Sequence, residues 1–497
     1  MDGSLTKASL RARGICVIIP TYNNAGTIAD VVTRALEQCD DVIVVADGCT
    51  DHTVELLNAL PTPPHIVMLE KNQGKGSALK EGFRYALKEG FAYAITLDGD
   101  GQHFPEDIAL MLEANKEHPG EIIVGQRKDL DKADRSRGSK FANAFSNFWF
   151  AVFTWKALKD TQTGYRLYPL KRLHALSLLT SRYEAELELL VFSSWAGVKI
   201  HSVPINVHYP PKEQRVSHFM PAKDFTRISL LNCVLLILSL IYGYPRMLLR
   251  FTAKVIKHLY LLTAFAVFAL ISMLILNPVA YLTKDERRVH LMICRIARFL
   301  IKSHIVPGIS YKLQNPENED FSKPSVIICN HQSHIDLILL LALSPNMIVL
   351  TTDWVWNNPI YRVIIRKAGF QPVSKGIDNI MPHLQNAVER GYSIAVYPEG
   401  TRSADCRIAR FHQGAFHIAQ SLNLDILPLV LYGSGKALPK KGHTMRRWPM
   451  ELSVEKRISP SQLAGLGEYT VKQASAVRRY YTERYREMAD RIEQELK

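Results

Sequence analysis

Residues 259–282 carry no charged side chain, and a second, shorter apolar stretch at 228–242 precedes them. A helix over 259–282 meets the roughly 20 apolar residues that a bilayer crossing needs. On both sides of it the sequence alternates short β-rich runs with amphipathic stretches, so the 497-residue chain cannot close around one core. The expected organisation is a domain over 1–225, a membrane-associated helical segment over 226–284, and a second domain over 285–497. Between the apolar runs Gly243-Tyr244-Pro245-Arg246 predicts a kink or turn. Arg246, Arg250, Lys254 and Lys257 follow it, and Lys284, Arg287 and Arg288 follow the second run. Positive charge at both ends leaves the orientation undetermined by the positive-inside rule. The alternative is that both runs are core helices with no membrane.

The charge balance narrows the partners. Against 47 Asp and Glu stand 61 Lys and Arg, a net +14. Nucleic acid, an anionic membrane surface and phosphorylated substrates would all suit such a chain. The basic residues are spread rather than clustered and form no nucleic-acid module, which excludes the first. Seven cysteines without a CxxC pair read as reduced, mostly buried thiols. The apolar run 16–19 stops at Pro20 and is too short for a signal peptide.

In the first domain the strands are expected at 16–19, 41–46, 65–69, 93–97 and 122–124, with helices at 27–38 and 76–89. This is the pattern of an α/β domain with a mainly parallel sheet, where ligands gather beyond the carboxyl ends of strands. Pro20-Thr21-Tyr22, Asp47-Gly48 and Asp98-Gly99-Asp100 all fall at such ends. Asp98 and Asp100, two residues apart on a turn, suit a divalent cation that also binds a diphosphate, with Gln102 as a further oxygen ligand.

The first 220 residues resemble glycosyltransferase family 2, in particular its dolichyl-phosphate mannosyltransferase branch. The matching segments are Ile19-Pro20-Thr21-Tyr22-Asn23, Ala46-Asp47-Gly48-Cys49-Thr50-Asp51, Asn72-Gln73-Gly74-Lys75-Gly76 and Asp98-Gly99-Asp100-Gly101-Gln102-His103-Phe104-Pro105. Gly125-Gln126-Arg127, Asp160-Thr161-Gln162-Thr163-Gly164-Tyr165-Arg166 and Arg215-Val216-Ser217-His218 continue it. The resemblance implies a GT-A fold, a nucleotide-sugar donor, a lipid acceptor and Mg²⁺ or Mn²⁺. Carried over, Pro20, Tyr22, Asp47, Asp98 and Arg127 would bind the nucleotide-sugar. Asp98, Asp100 and Gln102 would hold the metal, which makes Asp100 catalytic. Arg127, Arg137 and Arg215 would meet phosphate oxygens, and Asp160 or Glu184 would serve as base for a hydroxyl acceptor. Asn24 and Ala46 replace acidic residues usual in the family, on the nucleoside side.

The second domain opens with an amphipathic helix after Asp285 that carries Arg287, Arg288, Arg295 and Arg298. Strands are expected at 325–329, 347–351, 393–397 and 426–431, and a charged helix over 471–497. His331 and Asp336 are spaced so that a short turn entering a helix brings them together. The carboxylate would fix the imidazole tautomer, and neutral His331 would take the proton from a hydroxyl attacking a thioester.

Residues 290–450 resemble the glycerophosphate and lysophosphatidic acid acyltransferase superfamily. Asn330-His331-x4-Asp336, Gly369-Phe370-Gln371-Pro372-Val373-Ser374-Lys375, Tyr397-Pro398-Glu399-Gly400-Thr401-Arg402-Ser403 and Ile426-Leu427-Pro428-Leu429 form its blocks, with Phe411-His412-Gln413-Gly414 between. The resemblance makes His331 and Asp336 catalytic and places Lys375, Glu399, Gly400, Thr401 and Arg402 at the acyl acceptor. It implies acyl-CoA or acyl-carrier protein as donor and no cofactor. Lys375 stands for a usual arginine and His412-Gln413 for a usual basic pair, which points to a glycolipid or other hydroxylated lipid acceptor rather than lysophosphatidate. His334 is expected to be supporting or solvent-facing.

Together these features describe a two-reaction enzyme of bacterial glycolipid synthesis at the inner membrane. Both donors are cytosolic, so both sites should face the cytosol, and an even number of passes or a re-entrant hairpin is expected. Two independent activities, or one half serving only as a membrane-binding module, are the alternatives.

Overall fold

All seven residues of β1 (Ile15–Thr21) are buried, as are all six of β2 (Val42–Asp47). Apolar runs of this kind belong to parallel strands covered on both faces. With β3 (His65–Leu69), β4 (Tyr93–Thr96), β5 (Ile122–Arg127), β6 (Arg166–Pro169) and β7 (Ile200–Ile205) they form a sheet of order β3-β2-β1-β4-β6-β5-β7. Only β6 runs against its neighbours, pairing antiparallel with β4 and β5. The helix Ile28–Gln38 buries Ile28, Val31, Val32, Ala35 and Leu36, the i, i+3, i+4, i+7, i+8 stripe of a helix packed on a sheet.

This computed structural model describes residues 10–495 apart from 12, 129–136, 174–176, 209–220, 304–310, 441, 443 and 444. It divides into two units, Met1–Thr252 and Ala253–Lys497. The second holds its own seven-stranded sheet, β11-β10-β12-β9-β13-β14-β8. Its strands are β8 (Tyr311–Gln314), β9 (Val326–Cys329), β10 (Met347–Thr351), β11 (Gln371–Pro372), β12 (Ser393–Val396), β13 (Ile426–Tyr432) and β14 (Met450–Val454). From β11 to β13 all run parallel, and β14 is antiparallel to β13. The Asp285 side chain caps the helix Glu286–Lys302 by accepting from the Arg287 N–H, and Val289, His290, Cys294 and Ala297 face inward. The mixed α/β class of both domains is as the sequence implies.

The segment between departs from expectation. It is helical without a reversing loop from Pro221 to Leu282, with π-helical turns at Ser239–Gly243 and Ser272–Leu276. No hairpin forms at Gly243-Tyr244-Pro245. The widened turn lies just before Pro245, whose missing N–H a regular turn would leave as a gap. Gly243 lies against Trp195, where a Cβ would be 2.5 Å from the indole. Phe225–Leu282 is long and apolar enough to cross a membrane by length and composition. A narrow stripe is covered (Leu231, Leu235, Ser239), while Leu230, Ile237, Leu240 and Ile241 are exposed. Ser272 and Ala280 are likewise buried among exposed Leu270, Leu274, Ile275 and Leu282.

Candidate active sites

At the end of β4 the chain turns through Asp98-Gly99-Asp100. The Asp98 carboxylate meets the Lys75 ammonium at 2.5 Å, and Lys75 also pairs with Glu186 at 3.0 Å. His103 Nδ1 lies 3.7 Å from the other Asp98 oxygen. Because β6 is antiparallel, the segment just before it arrives at this same edge. There Thr96 donates its hydroxyl to the Gly164 carbonyl at 2.6 Å. A Cβ at Gly164 would sit 2.5 Å from Asp98 Oδ2 and 2.8 Å from Lys75 Nζ, so any larger residue would force the ion pair to shift.

Burial works against the charge of Asp98, but the Lys75 ammonium and His103 outweigh it and hold the carboxyl below its ordinary range. Asp100 makes no ion pair among the described residues, and the charge of Lys75 only partly offsets its burial. Burial and then the charge of Asp98 push it up to about 6, although its Oδ1 accepts the Gln102 N–H at 3.0 Å. Burial depresses His103 to about 4. Two carboxylates close enough to repel, one of them uncompensated, suit a divalent cation. Among the described residues no three His, Cys, Asp or Glu side chains form a complete cage. Such an ion would rest on Asp98, Asp100, the Gln102 amide and oxygens from substrate.

The expected nucleotide-binding residues fare unevenly. Tyr22 follows β1 and is half-buried. Pro20 is buried within β1, paired with Val45. The two oxygens of Asp47 accept the Gln73 and Gly74 N–H groups, each at 2.7 Å. That carboxylate builds the Asn72-Gln73-Gly74 loop, which delivers Lys75. Arg127 forks onto Asp160 with two 2.7 Å bonds, and the Asp160 side chain is fully buried. A carboxylate so saturated is a poor base. Glu184 is buried with one oxygen lacking a hydrogen-bond partner among the described residues. Arg137 opens the helix Arg137–Thr154, and its side chain, like Arg215, lies outside the described residues.

In the second domain Asn330 and His331 follow β9 directly. His331 Nδ1–H donates to Asp336 Oδ2 at 2.9 Å. The same oxygen accepts the Gln332 and Ser333 N–H groups at 2.6 and 2.8 Å, an arrangement set by the first turn of the helix Ile335–Leu343. Asp336 is 1% exposed, and the Tyr397 ring stacks on His331 with centroids 4.1 Å apart. His331 thus has its tautomer, plane and main chain fixed, with Nε2 left as the acceptor.

Glu399, expected at the acceptor, instead lies beneath this loop. Its oxygens accept the His331 and Ala409 N–H groups at 2.8 Å each, and burial raises its pKa. Gly400 (φ +67°) and Thr401 are exposed, and Arg402 is half-buried beside them. Burial and then the Arg402 charge lower His334, which is exposed as expected. The Lys375 ammonium sits 5.0 Å from the Trp356 ring centroid.

Some residues of these sites had no role in the sequence reading. Lys75 is part of a matching segment without a role of its own, and Glu186 is not singled out by the sequence. Lys440 donates to the Arg402 carbonyl at 2.8 Å and to the Thr401 hydroxyl at 3.2 Å, which restores a cation where His412-Gln413 lacks one. Only the order of the strands reveals these approaches.

Comparison with known proteins agrees with the geometry. Residues 16–167 match the glycosyl transferase family 2 model, and residues 310–432 match the acyltransferase model. The first part is 28% identical over 211 residues to glycosyltransferase AglJ of Haloferax volcanii, covering 42% of this chain and 68% of that protein. It is 29% identical over 215 residues to a UDP-N-acetylglucosamine–dolichyl-phosphate N-acetylglucosaminyltransferase of Methanococcus voltae (39% and 86%). The second part is 29% identical over 180 residues to the chloroplastic 1-acyl-sn-glycerol-3-phosphate acyltransferase LPAT1 of Arabidopsis thaliana, covering 35% of this chain. There the chain spans half the length of its relative. The chain is a transferase that joins an N-terminal glycosyl transferase family 2 domain to a C-terminal acyltransferase domain.

Proposed function

We propose that this is a membrane-associated enzyme with two working transfer sites. A domain over 1–225 moves a sugar from a nucleotide-sugar to a lipid acceptor. A domain over 285–497 moves an acyl group from acyl-CoA or acyl-carrier protein to a lipid hydroxyl, and 226–284 holds both at the membrane. One observation carries the reading: each sheet presents its own chemical set at its carboxyl edge, Asp98 and Asp100 after β4 and His331 with Asp336 after β9.

In the acyl transfer, His331 Nε2 accepts the proton of the lipid hydroxyl as that oxygen attacks the thioester carbonyl. Asp336 stabilises the imidazolium that results. The proton then passes to the departing thiolate, so no covalent acyl-enzyme is needed. Arg402, with Thr401 beside it, orients the acceptor.

In the sugar transfer, Asp98, Asp100 and Gln102 would hold Mg²⁺ or Mn²⁺, which when bound neutralises the departing nucleotide diphosphate. Lys75 keeps Asp98 ionised and aimed, and Gly164 leaves room for both. A lipid phosphate acceptor, as in the name of the Methanococcus voltae relative, is nucleophilic without a base. A hydroxyl acceptor would use Glu184. We assign the bacterial inner membrane as location, with both sites facing the cytosol where the donors are made. Exposed apolar side chains along Phe225–Leu282 support the membrane part.

The two reactions then meet on one glycolipid. A second reading, favoured by Lys440 beside Arg402, gives the acyl site a phosphate-bearing acceptor such as lysophosphatidate. The test supplies purified protein in liposomes with UDP- or GDP-sugars plus polyprenyl phosphate, and separately palmitoyl-CoA plus lysophosphatidate or the glycosylated lipid. Two activities are expected, with EDTA abolishing only sugar transfer. Absence of both, or an EDTA-sensitive acyl transfer, would overturn the proposal.

A further inference from the structure

The C-terminal helix Thr470–Glu495 is rich in charge and shows no chemistry in its sequence, yet one of its faces converges on the His331 loop. Tyr481, with no exposed surface, inserts its hydroxyl between two central strands. It donates to the Ile328 carbonyl at 2.7 Å and accepts the Leu429 N–H at 3.0 Å. These two groups lie on adjacent strands, β9 and β13, whose register pairs Ile328 with Pro428 and Cys329 with Leu429, so the Tyr481 hydroxyl bridges the Leu429 N–H to the Ile328 carbonyl two residues before Asn330.

One turn later Tyr485 donates its hydroxyl to the Gln332 side-chain carbonyl at 3.1 Å, and the Gln332 amide group donates to the Cys406 carbonyl at 3.0 Å. Gln332 is fully buried, and its main-chain N–H is the 2.6 Å donor to Asp336. One turn earlier Arg478 donates to the Ala409 carbonyl at 2.9 Å and the Ile408 carbonyl at 3.2 Å. The N–H of Ala409 is one of the two groups that hold Glu399. Residues 478, 481 and 485 follow the i, i+3, i+7 spacing of a single helix face. They reach the strand before His331, the residue after it, and the brace beneath it.

We infer that this helix is the positioning element of the acyl-transfer dyad, with Tyr485 acting through Gln332 as its most specific residue. The inference rests on the reading of His331 and Asp336 as the acyl-transfer pair. Removing one hydroxyl at Tyr485 frees the Gln332 side chain, loosens the N–H groups that hold Asp336, and lets the imidazole leave its reactive orientation.

The experiment uses the full-length protein in detergent, comparing wild type, Tyr485→Phe, Tyr481→Phe and His331→Ala. Hydrogen exchange is followed over residues 328–336, and turnover of palmitoyl-CoA with lysophosphatidate is measured as a probe. Tyr485→Phe is expected to raise exchange at Gln332 and Ser333 about fivefold or more, with the rest of the domain unchanged. It is also expected to lower kcat about tenfold with KM within about twofold; partial unfolding would lower kcat in the same way, and the unchanged exchange in the rest of the domain distinguishes the two. Unchanged exchange over 328–336 in both Tyr485→Phe and Tyr481→Phe would overturn the inference, whatever the turnover. Full turnover by His331→Ala would instead remove the dyad reading, while the exchange data still decide whether the helix holds the loop.

Discussion

The two catalytic edges solve the same geometric problem in opposite electrostatic ways. Both lie beyond the carboxyl ends of a seven-stranded, mostly parallel sheet. The acyltransferase edge is complete from its own atoms: Asp336 receives three hydrogen bonds on one oxygen, and Glu399 and Tyr397 fix the rest of His331. The glycosyltransferase edge carries a charge it does not fully balance: Lys75 pairs with Asp98, while its pull on Asp100 is outweighed by burial and by the charge of Asp98. A proton-transfer dyad can be preorganised by protein groups alone. A site for a diphosphate and a cation must keep negative charge in reserve and store it against a lysine.

That contrast can be broken first at Asp336. Asp336→Asn keeps the shape but presents an amide to two main-chain N–H groups and to the imidazole, which reverses the His331 tautomer. Acyl-transfer kcat should fall about 10³-fold or more with sugar transfer intact. Retained acyl transfer in a steady-state assay would remove the preorganised dyad from the account. On the other edge Gly164→Ala drives a methyl group into Asp98 and Lys75. Sugar transfer should fall about 100-fold, the scale set by displacing a reacting group by an ångström, with acyl transfer unchanged.

A smaller effect sharpens the brace. Glu399→Gln turns one of two acceptors into a donor facing the N–H of His331 or Ala409. The buried mismatch should cost about 1–3 kcal/mol in chemical denaturation and lower acyl transfer about tenfold. The smallest effect is thermal. Asp100 stands near 6 in the fold against 3.8 ordinarily, so its contribution to stability is fully present below 3.8 and lost as pH rises through about 6. A bound divalent cation should recover that loss. Mn²⁺ is therefore expected to raise the melting temperature more at pH 7.5 than at pH 5, and the opposite order in a thermal-shift series would contradict the Asp98–Asp100 site.

Much of this was legible in the sequence. The strands that end in Thr21, Asp47 and Cys329 are apolar runs closed by polar residues, and both motif sets sit where such runs stop. The strands that escaped notice are the polar, short or proline-bearing ones, such as β6 and β7, whose pairing partners lie far along the chain. Pro245 read as a kink because a regular helix tolerates it poorly, and a π-helical turn accommodates it there. By resemblance to the two families Asp47 and Glu399 read as binding residues and Asp160 as a candidate base. Each spends its oxygens on the protein itself. Lys75 went unassigned for the converse reason, since nothing local distinguishes a lysine aimed at Asp98 from one in solvent. Tyr481 and Tyr485 share a helix face by spacing alone, but Leu429 and Ile328, which Tyr481 bridges, lie 52 and 153 residues away.

The central claim is that one chain holds two separate transfer sites. It is tested most directly by assaying Asp100→Ala and His331→Ala, each as purified full-length protein, for both sugar transfer and acyl transfer with the lipid products followed by mass spectrometry. The predicted result is a double dissociation: Asp100→Ala loses only sugar transfer and His331→Ala loses only acyl transfer. Loss of the same activity in both variants, or of neither, would contradict it.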